Sequence, residues 1–171
     1  QAAQGAGGIV GRILKQGSVS NCENSAEVKV ATQNAGGIVG AAYYNNEGMT
    51  ISDCTNSGAV SGPTGIGGIV GFSSSDISGC TNSGTVTGNG PSIGGIAGEQ
   101  QNSGSVTGCT NSGTITNESE DYGTGGIVGW VRYSGGGTLY PDKEIIEIRN
   151  NTNSGTISGG SDGGGIVGTV Y

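Results

Sequence analysis

One five-residue string recurs along this chain and limits what it can become. Gly-Gly-Ile-Val-Gly begins at Gly7, Gly36, Gly67, Gly125 and Gly164, and a variant with Ala97 in place of Val begins at Gly94. The intervals are 29, 31, 27, 31 and 39 residues. Self-similarity at a period of 20–50 residues marks an array of stacked units rather than one globular core. A second motif lies between the first. It reads Cys22-Glu23-Asn24-Ser25-Ala26-Glu27-Val28, then Cys54-Thr55-Asn56-Ser57-Gly58-Ala59-Val60 and Cys80-Thr81-Asn82-Ser83-Gly84-Thr85-Val86. Cys109-Thr110-Asn111-Ser112-Gly113-Thr114-Ile115 and Asn151-Thr152-Asn153-Ser154-Gly155-Thr156-Ile157 complete the set. From the Cys column to the next Gly-Gly is 14, 13, 14, 16 and 13 residues, whereas from Gly-Gly to the Cys column is 15, 18, 13, 15 and 26. Insertions therefore fall just after Gly-Gly-Ile-Val-Gly, and in repeat arrays such insertions map to loops on one face, often the binding face.

Composition says what kind of unit repeats. Gly accounts for 39 of 171 residues, and charged residues for only 11%. Gly, Ser, Thr and Asn disfavour helix, so each unit reads as short β-prone pieces. Three are visible: the Ile-Val piece, the piece ending before the Cys column, and the x-Val-x piece. Turn formers precede the Cys column (Asn21, Asp53, Gly79, Gly108, Asn150), and Ser-Gly marks another corner. The expected fold is all-β, a right-handed parallel β-solenoid (β-helix) of about five coils of 27–39 residues. Its coils start near 7, 36, 67, 94 and 125, with a partial coil at 164–171, forming a single module over residues 1–171. Coils would stack ~4.8 Å apart, and the hand follows the parallel crossover rule. The chain does not open on a signal peptide, and the whole reads as a piece of a larger protein.

Stacking predicts columns of like residues. Asn24, Asn56, Asn82, Asn111 and Asn153 should form an inward amide ladder, each side chain bonding the next. Cys22, Cys54, Cys80 and Cys109 should form a second column. Such a file cannot converge on one tetrahedral metal. It reads first as free, buried thiols, because Asn151 fills the same slot in the fifth copy. Disulfides between neighbouring coils are the alternative, since the coil spacing falls within the ~4.4–6.8 Å Cα window. A Thr-rich column beside the x-Val-x piece reads as an ordinary solvent face of a β-sheet.

The pairing of Gly-Gly-Ile-Val-Gly with Cys-x-Asn-Ser-Gly-x-Val is similar to the GLUG motif of bacterial surface and secreted proteins. That repeat also occurs in non-catalytic regions of IgA-cleaving metallopeptidases. The family's usual Leu is Ile here. The resemblance implies an extracellular bacterial repeat module, adhesive or spacer-like, and supplies no catalytic residues.

Function is read partly from absences. There is no His, which removes Ser-His-Asp and Cys-His catalysis and imidazole zinc sites. Six scattered basic residues with a net charge of −7 make no nucleic-acid footprint. No apolar run approaches the ~20 residues of a membrane span. No Gly-Lys-Ser/Thr follows the Gly-rich strings. The acidic run Glu118-Ser119-Glu120-Asp121 lacks the spacing of a calcium loop. We therefore expect no enzyme and no cofactor. Seven of the eight aromatics follow Gly-Gly-Ile-Val-Gly, where the insertions are. Trp130, Tyr133, Tyr140, Tyr43 and Tyr44, with Arg132, are the candidate ligand-binding residues, because such rings stack on sugars or peptide side chains. The competing reading is that these rings cap a neighbouring coil. The sequence thus favours a non-enzymatic adhesin-type module on the cell surface or in the secreted fraction, facing a host glycan or glycoprotein. A structural spacer joined to neighbouring domains of its parent chain, and a subunit self-associating end to end, are the alternatives.

Overall fold

The computed structural model describes residues 5–15, 17–43, 49–102, 104–121, 123–132 and 146–171. These residues form a parallel β-solenoid, without a helix among them. Each full coil carries five short strands rather than the three read from the sequence. In the third coil they are Thr64–Gly67, Val70–Ser73, Asp76–Ser78, Thr81–Asn82 and Val86–Gly88. Equivalent strands stack into two sheets of six and three sheets of five, which we number first to fifth in chain order around the coil.

Two local features account for the extra strands. The Gly-Gly-Ile-Val string is not one strand. A bend between Gly67 and Val70 divides it between the first and second sheets. The x-Asn dipeptide after Cys, outside the three pieces read from the sequence, pairs in register as the fourth sheet, Thr55↔Thr81↔Thr110 and Asn56↔Asn82↔Asn111. Strands of two residues persist because every neighbour repeats the same backbone path, so their N–H and C=O groups meet partners above and below.

The residue before the Cys column makes a sharp corner in all five coils. Asn21, Asp53, Gly79, Gly108 and Asn150 have φ of 54°, 53°, 62°, 63° and 57°. Only Gly, Asn and Asp enter this left-handed region readily, which explains why this position varies among those three types.

Two apolar columns fill the coil. One joins the second and third sheets and the Cys column, and includes Ile38, Ile69, Ile96, Ile127, Ile51, Ile77 and Cys80. The other joins the first and fifth sheets, with Ile66, Ile93, Val60, Val86 and Ile115. The Asn file occupies the waist between them. Asn24 Nδ2 donates to Asn56 Oδ1 (2.8 Å), Asn56 to Asn82 (2.9 Å), Asn82 to Asn111 (2.8 Å) and Asn111 to Asn153 (2.8 Å). The second amide proton goes to the carbonyl two residues on, as in Asn82 to Gly84 (2.9 Å). Buried amides at the waist are thereby satisfied on both atoms, which is what permits polar side chains in a core this thin.

Candidate functional site

The thiol column comes first, because it follows from the same stacking. All four cysteines are free; Cys54, Cys80 and Cys109 are buried, and Cys22 is half-buried. Each Sγ lies against the carbonyl two residues before it, as Cys54 does against Ser52 (3.1 Å). In the fifth coil Asn151 takes the slot, accepting from Cys109 N–H and donating to the Val106 carbonyl, both at 2.8 Å. Its amide thus closes the backbone of the coil beneath. Burial pushes the Cys54 thiol up to about 11. Its hydrogen bond with Cys109, together with burial, holds Cys80 protonated well above the usual thiol range. These thiols are core atoms. Among the described residues there is also no cluster of three or more His, Cys, Asp or Glu suited to a metal ion. In the acidic run, Ser119 donates to Asp121 and its hydroxyl accepts the Asp121 N–H, both at 2.9 Å, closing a loop on itself.

The outer face of the second sheet is different. The residue immediately after each Gly-Gly-Ile-Val-Gly stands in one register column: Arg12, Ala41, Phe72, Glu99, Trp130 and Thr169. Tyr43 stacks on Phe72 with ring centroids 4.9 Å apart, and the Arg12 guanidinium lies over the Tyr43 ring at 5.8 Å. Ala41, between Arg12 and Phe72 in the column, is fully buried, and the Tyr43 hydroxyl oxygen accepts from Asn34 Nδ2 (3.1 Å). Tyr43 bridges the first three coils while 36% of its surface stays open to solvent.

Trp130 lies two coils farther along the same column. The Arg132 guanidinium stands over its ring at 5.2 Å and pairs with Glu99 at 3.6 Å. Gln101 Nε2 donates to the same carboxylate. Glu99 is thus a fixed anchor that orients Arg132 across the indole, while the Arg132 side chain keeps 40% of its surface open to solvent. Trp130, Arg132, Thr169 and Tyr171 line an open cleft of about 480 Å³, and Tyr171 is 84% exposed. The cleft combines an indole and a phenol with a guanidinium and a hydroxyl, the pairing of flat apolar surface and directed donors that polar ring ligands need.

Of the six candidate ligand residues, the structure brings Trp130 and Arg132 together and places Tyr43 apart from them. Tyr44, Tyr133 and Tyr140 lie outside the described residues. Thr169 and Tyr171 complete the cleft and Glu99 anchors Arg132 beside it, none of the three having been singled out. Their signal was in the sequence, since aligning the residue after the closing Gly of each motif places Glu99 and Thr169 on either side of Trp130.

Comparison with known proteins adds one finding. Residues 62–87 and 89–116 each match the model of the GLUG motif. The matched stretches are the third and fourth turns of the solenoid, counted from the corner before the first sheet. No curated protein matches the chain, and no solved structure does.

Proposed function

Because this chain carries GLUG motifs stacked as a solenoid, we propose that it is a non-enzymatic repeat module of a larger extracellular bacterial protein, and that it binds glycan through the Trp130 cleft. The observation that carries the reading is the Trp130–Arg132–Glu99 arrangement beside Tyr171. A Trp held under a guanidinium, with its orientation fixed by an ion pair, loses little side-chain freedom on binding. A sugar ring would stack on the Trp130 and Tyr171 rings and take hydrogen bonds from Arg132 and Thr169. A host glycan or glycoprotein on the outside of the cell is the partner class, and surface attachment or secretion is the setting. With no His in the chain there is no imidazole to serve as a general base, in keeping with a binding role.

The second reading is a spacer that projects another domain and binds nothing. It is favoured by the Tyr43–Phe72 stack, which shows aromatic rings on this face serving as packing. A glycan array probed with the parent chain, Trp130→Ala and Tyr171→Ala separates the two. Binding by the parent that falls at least tenfold in each variant, with circular dichroism unchanged, supports the glycan site. An array on which the parent binds nothing overturns it and leaves the spacer.

A further inference from the structure

The thiol file has one end that solvent reaches. Cys22 is half-buried in the first coil, and Cys54 is buried directly beside it in the second. The flanking residues are in parallel register, Glu23↔Thr55 and Asn24↔Asn56, and the Thr55 N–H donates to the Cys22 carbonyl at 2.9 Å. Both side chains sit with the same core column, and the Cys54 Sγ lies 3.7 Å from the carbonyl of Val19, in the coil that carries Cys22. In-register neighbours on adjacent parallel strands are ~4.8 Å apart, within the range that a disulfide spans.

We propose that Cys22 and Cys54 are a redox staple that joins the first coil to the second by a disulfide, formed by exchange with a small-molecule disulfide. The Cys22 thiolate attacks one sulfur of the small disulfide, breaking its S–S bond and releasing one thiolate. The resulting mixed disulfide at Cys22 is then attacked by Cys54, which gives up its proton. The second small thiol leaves and the Cys22–Cys54 bond remains. Two protein thiols are oxidised and one small disulfide is reduced to two thiols. Cys22 is the entry point because it alone of the four is open to a reagent. Cys80 and Cys109 lie deeper in the file, so a single bridge forms.

Incubation of the folded chain with oxidised glutathione tests this. The expected product is 2 Da lighter than the reduced chain, with one bridge mapped to Cys22–Cys54 by peptide mass analysis and a thermal midpoint higher by several degrees. Cys80 and Cys109 should stay alkylatable after unfolding, and Cys22→Ser should yield no bridge. Cys54→Ser should stop at the glutathione adduct on Cys22. An unresolved adduct on the parent chain, a bridge that forms first at Cys54–Cys80 or Cys80–Cys109, or a bridged form that melts below the reduced one would each overturn the proposal.

Discussion

Gly68 and Asn82 press against each other across the waist of the third coil. A methyl group on Gly68 would stand 2.6 Å from Asn82 Nδ2, and closer still to its Cγ and to the Gly95 carbonyl of the next coil. The same contact joins Gly37 to Asn56, Gly95 to Asn111 and Gly126 to Asn153. The two motifs of the repeat are thus two sides of one contact: the second Gly of Gly-Gly makes room for the Asn that bonds to the next coil.

The last coil supplies an internal control for that contact. Gly165 holds the same motif position, yet among the described residues nothing lies within 4 Å of where its methyl would go. Gly68→Ala should cost about 3 kcal/mol or more, because the clash is partly with backbone that cannot turn aside. Gly165→Ala should change stability by less than about 0.5 kcal/mol. Urea melts of the two variants check this, and equal losses would contradict it.

The ladder should weaken toward its end. Asn82→Ala strands the buried Asn56 amide proton and the Asn111 Oδ1, and should cost about 2–4 kcal/mol. Asn153→Ala should cost under about 1.5 kcal/mol, since Asn153 is half-buried and water can take up the Asn111 proton. Thermal melts of the two variants give the ranking.

Asn82→Asp adds a pH test with a definite sign. The carboxylate would face the Gly84 carbonyl and Asn111 Oδ1, where an amide now donates. Burial and those two acceptors would raise its folded pKa above the ordinary ~3.9. The folded state then binds more protons than the unfolded one, so the variant loses stability as pH rises above about 4 and is closest to the parent below it. Melting temperatures at pH 3.5 and 7, compared with the parent's at each pH, should show the larger deficit at pH 7.

The corner before the Cys column should accept some residues and refuse others. At Gly108 (φ 63°) the nearest foreign atom to an added Cβ is the Gly79 nitrogen, at 3.9 Å. Space is therefore not the constraint and backbone conformation is. Gly108→Asn should lie within about 0.5 kcal/mol of the parent, while Gly108→Val should lose about 2 kcal/mol. Chemical denaturation distinguishes the two.

Thiol titration should follow burial. With the protein fully reduced, one thiol, Cys22, should react promptly with a disulfide reagent at pH 8, and all four should react in denaturant. The Cys54 thiol, held up to about 11 by burial, should not attack the reagent itself at that pH and should react only with an adduct already formed on Cys22, so Cys22→Ser leaves it untouched in the folded chain.

Much of this was legible along the chain because a parallel in-register stack converts sequence period directly into spatial columns. The Asn file, the Cys file and the corner positions could each be written down from residue offsets. The strand count could not. The bend at Gly68–Ile69 and the pairing of Thr81–Asn82 arise only when coils lie on one another, since a two-residue strand has no propensity of its own. Composition also marked the aromatics as special without distinguishing Tyr43, which stacks on Phe72, from Trp130, which borders an open cleft.

By itself, then, the sequence determined the period, the parallel stack and the residues that share a column, because identical units can satisfy their backbone groups on each other at every coil. Tertiary structure alone decided which member of a column is core and which is surface. That outcome depends on neighbours one or two coils away: Glu99 anchoring Arg132 over Trp130, and Asn82 filling the space that Gly68 leaves. Offsets along the chain record that such neighbours exist, but not which way their side chains turn.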